Sequence, residues 1–379
     1  MANMALSGRE QELFPILPPT VRGLARFAEE SEHAEDGHLV EFRTIETRSI
    51  LNRSVSKRQL SLAYSINPYR GCEFGCRYCY ARYTHGFLAP AKQAGSAEDA
   101  TTHAPLPGSG EAAAEMDLGR PDAFERRIFL KKNAAWLLEQ ELRRIDRSDE
   151  IALGTATDPY QPIERRAMVT RSILEVFARS EGYRLGIVTK SRLIERDIDL
   201  LSAIASKNRL VVHLTITTAD AELARKLEPR APRPDLRFAA VRRLRDAGIC
   251  TGILCSPLLP GITDSEAAID GMARRSARAR ASFFAAQPLF LKPCSRPTFL
   301  NFVREHFPAL QAEYAARFAT ADFAGRPYRE HLDRLVGRAC KRHGVAERSS
   351  DALLTHDVGA SRMQPRGTVT PGGQQLLFA

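Results

Sequence analysis

The sequence predicts an α/β fold built on a parallel sheet. Two observations carry that expectation. Short apolar runs alternate with amphipathic runs between residues 62 and 291, the grammar of βαβ units. Several of the apolar runs break directly into turns, as IALGTATDP at 151–159 and CTGILCSPLLPG at 250–261 do. Counting gives six strands, short of the eight of a closed barrel. An open or partial barrel and a doubly wound sheet both fit the pattern.

The elements follow in order. Residues 1–60 are mixed and charged and form a lead-in, with FRTIETRSILNRSVS at 42–56 extended. The core begins with a strand at 62–67. Residues 89–121, rich in Ala, Gly, Pro and Ser, read as a loop or partly disordered insert. The segment 124–145 carries a helix over its second half, and 151–159 is the second strand. A helix with proline near its start covers 162–180. Strands at 183–190 and 209–218 flank a helix at 194–206. Helices at 219–228 and 235–248 lead to the strand and turn at 250–261. The next helix, 263–277, begins at Thr263 as cap, and 281–291 is the last strand. The core thus spans 61–297. Helices are expected in 298–350 and a mobile polar tail at 351–379.

A chain of 379 residues suffices for one large core with appendages, or for two domains. Its net charge of +10 permits an anionic partner without identifying one. Seven cysteines, an odd number in a chain this large, fit a secreted disulfide scaffold poorly. The start lacks a basic segment followed by an apolar one. No run approaches the roughly 20 apolar residues of a membrane helix. The expected location is cytoplasmic, with no membrane partner.

Three cysteines stand inside eight positions: Cys72-Glu-Phe-Gly-Cys76-Arg-Tyr-Cys79. Gly71 and Gly75 let a loop fold tightly around something. Thiolates are soft ligands, suited to zinc or iron–sulfur centres. Structural zinc normally takes four protein ligands. The nearest histidine is His85 and the next cysteine Cys250. Zinc with His85 as fourth ligand is one reading, and buried unliganded thiols another. A four-iron cluster on three cysteines leaves one iron open to a substrate or cofactor.

This CxxxCxxC motif, with Tyr78 before the third cysteine, resembles the radical S-adenosylmethionine (radical SAM) superfamily. The longer runs SINPYRGCEFGCRYCYAR, LGTATDPYQPIE, IVTKS, ITTADAELARKLEPRAP and SPLLPGITD resemble its spore photoproduct lyase-like, DNA-repair-photolyase-like branch. The likeness covers about residues 60–295. It implies a partial (β/α)6 TIM-like barrel with the cluster loop after the first strand. It also implies a [4Fe-4S] cluster on Cys72, Cys76 and Cys79, whose open iron chelates S-adenosylmethionine. Reductive cleavage would give methionine and a 5′-deoxyadenosyl radical that takes hydrogen from a substrate. A one-electron reductant such as flavodoxin or ferredoxin is the implied partner.

The resemblance also assigns strand-end residues. Tyr78 would lie near adenine. Where many members carry a Gly-Gly-Glu type segment, this chain has Gly154 to Asp158, and Thr155, Thr157 and Asp158 are its substitutes. Asp158 has a second reading, as cap of the helix near Pro162. Lys190 would meet the cofactor carboxylate or a substrate phosphate. His213, Thr215 and Thr217 share one strand face; the threonines would meet ribose or carboxylate, and His213 reads as an interior residue. Arg230 is a candidate anion clamp, and the turn at Pro260 and Gly261 would pass adenine. Cys255 is a candidate hydrogen-atom donor, packing its other reading. Cys250, Cys255, Cys294 and Cys340 are candidates for a second cluster. The spore enzyme's pattern has a further cysteine some 40–50 residues past the cluster; residues 80–249 here hold none. Tyr83, Tyr160 or a remote thiol would have to serve.

A basic run between Arg225 and Asp246 suits a phosphate backbone, or is a solvated helix face. The leading expectation is therefore a radical SAM enzyme acting on a nucleic-acid base or nucleotide. The alternatives are a peptide- or protein-modifying radical SAM enzyme, and a non-enzymatic iron–sulfur protein that binds nucleic acid or carries electrons.

Overall fold

The computed structural model describes residues 40–53, 62–88, 122–323 and 325–348. The insert at 89–121, the tail at 351–379 and residues 1–39 and 54–60 of the lead-in lie outside them.

Among the described residues ten strands are formed: β1 (Glu41–Ile45), β2 (Leu51–Arg53), β3 (Leu62–Ile66), β4 (Tyr69–Arg70), β5 (Arg127–Lys131), β6 (Glu150–Leu153), β7 (Arg184–Thr189), β8 (Arg209–Thr215), β9 (Thr251–Leu258) and β10 (Phe284–Pro288). Seven make the main sheet in the order β10-β9-β8-β7-β6-β3-β2. All its pairings are parallel except β2 with β3.

The six expected strands are β3 and β6 to β10, and they lie side by side in chain order. That order decides between the two architectures left open above. A doubly wound sheet reverses direction at a switch point; here every crossover steps the same way. Right-handed crossovers then place the helices on one face of the sheet. The sheet ends at β10 and β2 without closing, so the barrel is partial.

Side chains alternate across this sheet. Ile151, Leu153, Leu185, Ile187, Val212, Leu214 and Ile253 are fully buried. Helices Val169–Arg179, Ile198–Lys207, Pro234–Asp246 and Glu266–Arg278 follow β6 to β9.

A second sheet, ordered β1-β5-β4, was not foreseen. Its central strand, RIFLK, pairs in parallel with β1 across Glu41↔Arg127 to Ile45↔Lys131. The strand is short, flanked by charge and dependent on a partner some eighty residues earlier, so no local pattern announces it. Its edge β4 leads directly into the cysteine loop.

Two local expectations change. Ser265, not Thr263, caps helix Glu266–Arg278, its hydroxyl accepting from Ala268 N at 3.2 Å. Thr263 Oγ1 instead accepts from Leu259 N at 2.8 Å. The helix expected over 162–180 is split at Met168, whose φ is 55°. Helix Arg326–His343 packs along Glu266–Arg278, and the chain beyond it pairs with β10: Phe284 N donates to Ala346 O at 2.8 Å and Arg348 N to Phe284 O at 3.0 Å. No helix among the described residues is long and apolar enough to cross a membrane.

Candidate functional site

A solvent-open cleft of about 920 Å³ lies at the carboxyl ends of the parallel strands, where βα loops converge in such folds. One wall is the loop after β4, with Cys72, Cys76, Tyr78 and Cys79. Gly154 to Asp158 follow β6, Thr189 and Lys190 end β7, and Thr215 ends β8. Leu254, Ser256 and Pro257 of β9 and Gln287, Pro288 and Phe290 at β10 form the far side.

The cysteine loop is tied down at nearly every residue. Gly71 and Gly75 have φ of +83° and +60°, which side chains rarely adopt. A Cβ at Gly71 would meet Arg127 O at 2.6 Å, and one at Gly75 would meet Arg230 Nη2 at 2.6 Å. Cys72 N donates to Phe124 O at 3.0 Å, and Arg77 N to Leu227 O at 2.9 Å. Gly71 O accepts from Thr157 Oγ1 at 2.6 Å and Gln161 Nε2 at 3.3 Å. Glu73 spans the same loop, its carboxylate accepting from Ile163 N at 2.7 Å. Arg82, in a buried ion pair with Glu125, donates to Cys76 O at 3.2 Å. Ser295 Oγ reaches Cys79 O at 2.6 Å.

Burial pushes all three thiols up, Cys76 to about 12. For Cys72, the Asp158 carboxylate and the other two sulfurs add to the effect. Lys190 opposes it at Cys76, and Arg82 opposes it at Cys79. Three thiolates in this loop therefore need cationic compensation, and metal is the usual source. Among the described residues, no three His, Cys, Asp or Glu converge to hold a metal ion. Three cysteines on one loop supply a soft donor set of the kind that holds iron–sulfur clusters. The zinc reading fails at His85, whose Nε2 lies 3.0 Å from Arg127 O while its ring packs against Phe124 and Phe129.

Behind the wall lies a buried polar network. The Tyr78 hydroxyl bonds Glu228 and lies 2.8 Å from Thr217 Oγ1. Thr217 Oγ1 donates to Glu228 Oε1 at 2.8 Å. Arg237 Nη2 is 2.5 Å from Glu228 Oε2, and Lys190 Nζ is 3.7 Å from Oε1. Burial would raise the Glu228 carboxyl, but Arg237 and Lys190 outweigh it and hold the group at about 2.

Of the residues singled out in the sequence, Cys72, Cys76, Cys79, Tyr78, Thr155, Thr157, Asp158, Lys190 and Thr215 meet in this one cleft. Thr217 sits just behind it. Asp158 does not cap the helix near Pro162: its carboxylate accepts from Tyr160 N at 2.9 Å, Thr189 Oγ1 at 2.6 Å and Lys190 N at 2.7 Å. Arg230 lies against Gly75 and Gly261 against Leu310, and neither lines the cleft. His213 packs on Phe283, ring centres 5.1 Å apart.

Cys255 is a correction. It is fully buried, with Sγ 3.5 Å from Thr217 O. Its strand neighbours Leu254 and Ser256 line the cleft, and alternation sends Cys255 to the opposite face. The second-cluster reading also fails. Cys250 precedes β9, Cys340 is buried on helix Arg326–His343, and Cys294 lies beside Tyr80 O.

Glu228 and Arg237 were missed because both read as members of a charged run. One signal was present: Arg237 shares the helical stripe of Phe238, Val241 and Leu244, all buried. The basic run itself is partly consumed. Arg233 pairs with Asp235 at 3.0 Å, Arg243 with Glu195, and Arg245 Nε donates to Arg280 O at 3.0 Å.

The family model of the Radical SAM superfamily matches residues 66–270. "Uncharacterized protein Rv2578c" of Mycobacterium tuberculosis is 30% identical over 288 residues, 76% of each chain. "Uncharacterized protein MJ0683" of Methanocaldococcus jannaschii is 28% identical over 204 residues, 54% of this chain and 63% of that one. Among solved structures, a spore photoproduct lyase double mutant with bound AdoMet and dinucleoside spore photoproduct superposes with a TM-score of 0.56 at 14% identity, over 82% of each chain. At that identity the likeness is one of fold.

Proposed function

The chain belongs to the Radical SAM superfamily and is an enzyme using that family's [4Fe-4S] cluster and S-adenosylmethionine; from this premise we propose that it performs radical chemistry on a nucleic-acid base or nucleotide in the cleft just described. The observation that carries the reading is that the three motif cysteines, Cys72 and Cys76 buried and Cys79 half-buried, line one cleft at the strand ends together with Lys190.

Cys72, Cys76 and Cys79 would hold the cluster. When bound, the cluster and S-adenosylmethionine supply a one-electron cleavage that yields methionine and a 5′-deoxyadenosyl radical. An external one-electron reductant, such as flavodoxin or ferredoxin, is the proposed partner.

The chain's own residues bind, orient and exclude water. Lys190 offers a cation for the anionic end of the cofactor. Thr155 and Thr215 offer hydroxyls from the ends of β6 and β8, and Tyr78 offers a ring fixed through its hydroxyl. Asp158 spends its oxygens on protein donors and acts as a clamp that sets where Lys190 stands. Phe74, Phe124, Val188, Leu254 and Pro257 make much of the remaining wall apolar, which keeps water from a reactive centre.

The substrate class rests on the far side of the cleft. Tyr80, half-buried at the cleft, gives a planar face of the kind on which bases stack; Phe290 beside it is itself stacked on Phe323, ring centres 4.4 Å apart. Ser256 and Gln287 give hydrogen-bonding groups beside them. Spore photoproduct lyase, of the same fold, has been seen with a dinucleoside lesion, and the reading extends that substrate class to this chain by analogy.

The test is reductive turnover with single-stranded DNA, duplex DNA and RNA oligonucleotides, and with peptides as the comparison. Nucleic acid should raise 5′-deoxyadenosine formation above the substrate-free rate. Stimulation by peptides alone would move the enzyme to protein modification.

A further inference from the structure

Glu228 lies outside the cleft surface, yet it contacts two side chains that line it, Tyr78 and Lys190. Its carboxylate takes the hydroxyl hydrogens of Tyr78 and Thr217. The same oxygen, Oε1, stands 3.7 Å from Lys190 Nζ. That ammonium is also 5.6 Å from the centre of the Tyr78 ring. Lys190 thus has an anion and an aromatic face on its inner side and the cleft on the other.

Two cations face Glu228, Lys190 and Arg237, and a second carboxylate, Asp158, also acts on Lys190. Arg237 is fully engaged elsewhere, donating to Pro232 O at 2.6 Å and Thr215 O at 3.1 Å besides its pairing with Glu228. A buried ion pair is a poor stabiliser, because desolvation offsets most of the Coulomb gain. Stability alone therefore gives little reason for this one. Of the two cations, Lys190 is the one that lines the cleft.

We infer that Glu228 is a positioning residue: anchored by Arg237, it fixes the Tyr78 ring and aims the Lys190 ammonium at the carboxylate of the cofactor. The inference rests on the cofactor reading above and adds to it a residue that touches no ligand.

The test uses holoenzyme with its cluster assembled anaerobically, as parent, Glu228→Gln, Lys190→Met and the double variant. Iron per chain is measured first. S-adenosylmethionine is then titrated into the reduced protein, and its dissociation constant is read from the change in the cluster's electron paramagnetic resonance spectrum. Glu228→Gln should leave iron unchanged and weaken binding about 10- to 100-fold, the usual scale for a residue supporting a ligand-contacting one. Lys190→Met should weaken it similarly, and the double variant no further, because both act through one ammonium. Parent-like binding by Glu228→Gln, or penalties that multiply in the double variant, would overturn the inference. If Glu228→Gln does not fold, Glu228→Gln with Arg237→Met removes both charges of the pair and is read in the same way. Failure of the cofactor reading would look different: the parent itself would give no response to S-adenosylmethionine.

Discussion

The Thr189 hydroxyl donates to the Asp158 carboxylate at 2.6 Å, so a residue beyond β6 fixes the end of β7. The same carboxylate accepts from the Lys190 amide at 2.7 Å. Position along one strand end is thereby transmitted to the next, and the cation in the cleft is placed from its backbone outward.

Replacing Asp158 by Ala leaves Thr189 Oγ1 and the Tyr160 and Lys190 amides without their acceptor. Buried donors left unsatisfied cost about 1–3 kcal/mol each. The variant should unfold at lower temperature than the parent, and its remaining folded fraction should bind S-adenosylmethionine more weakly. Unchanged melting in a thermal scan would show that the clamp is not stabilising.

Cys255→Ala should keep the parent rate of 5′-deoxyadenosine formation and the parent product. Its thiol faces the packed core, so the cost is one of packing, about 1 kcal/mol. Loss of product with folding intact, read by chromatography, would restore a chemical role.

Lys131 is buried in the small sheet beside the cysteine loop, and burial, with Arg70 nearby, lowers its ammonium to about 8. In the unfolded chain the group titrates near 10.5. Between those values the unfolded state binds more protons, so this lysine makes stability rise as pH rises from about 8 to about 10.5. Lys131→Met should remove that contribution. Denaturation of parent and variant at pH 7.5 and 9.5 would show the parent gaining stability relative to the variant at the higher pH; an unchanged difference would contradict the assignment.

Cys76→Ala removes one of the three thiols facing the cleft. The reconstituted variant should carry far less iron and sulfide than the parent. Equal iron and sulfide, by chemical assay, would remove the three-cysteine site.

Much of this was legible in the sequence. The six parallel strands announce themselves because each is an apolar run with a helix after it. Cys72, Cys76 and Cys79 stand out because three thiols in eight positions are rarely a packing device. Strand order was not legible, since hydrophobic period says which face is buried but not which neighbour is beside it. RIFLK was hidden because its pairing partner lies far away in the chain. Glu228 and Arg237 were hidden for a different reason. Charge reads as surface until the stripe of Phe238, Val241 and Leu244 is seen to include Arg237, and only the fold then brings Glu228 to it. Cys255 was misjudged because closeness to the strand's end was weighed above the side to which alternation points it.

The most direct measurement is electron paramagnetic resonance of the anaerobically reconstituted, dithionite-reduced protein, with and without S-adenosylmethionine, paired with chromatography for 5′-deoxyadenosine. The account predicts a reduced-cluster signal that changes on adding the cofactor, with 5′-deoxyadenosine formed. A cluster signal indifferent to S-adenosylmethionine, with none of that product, would contradict it.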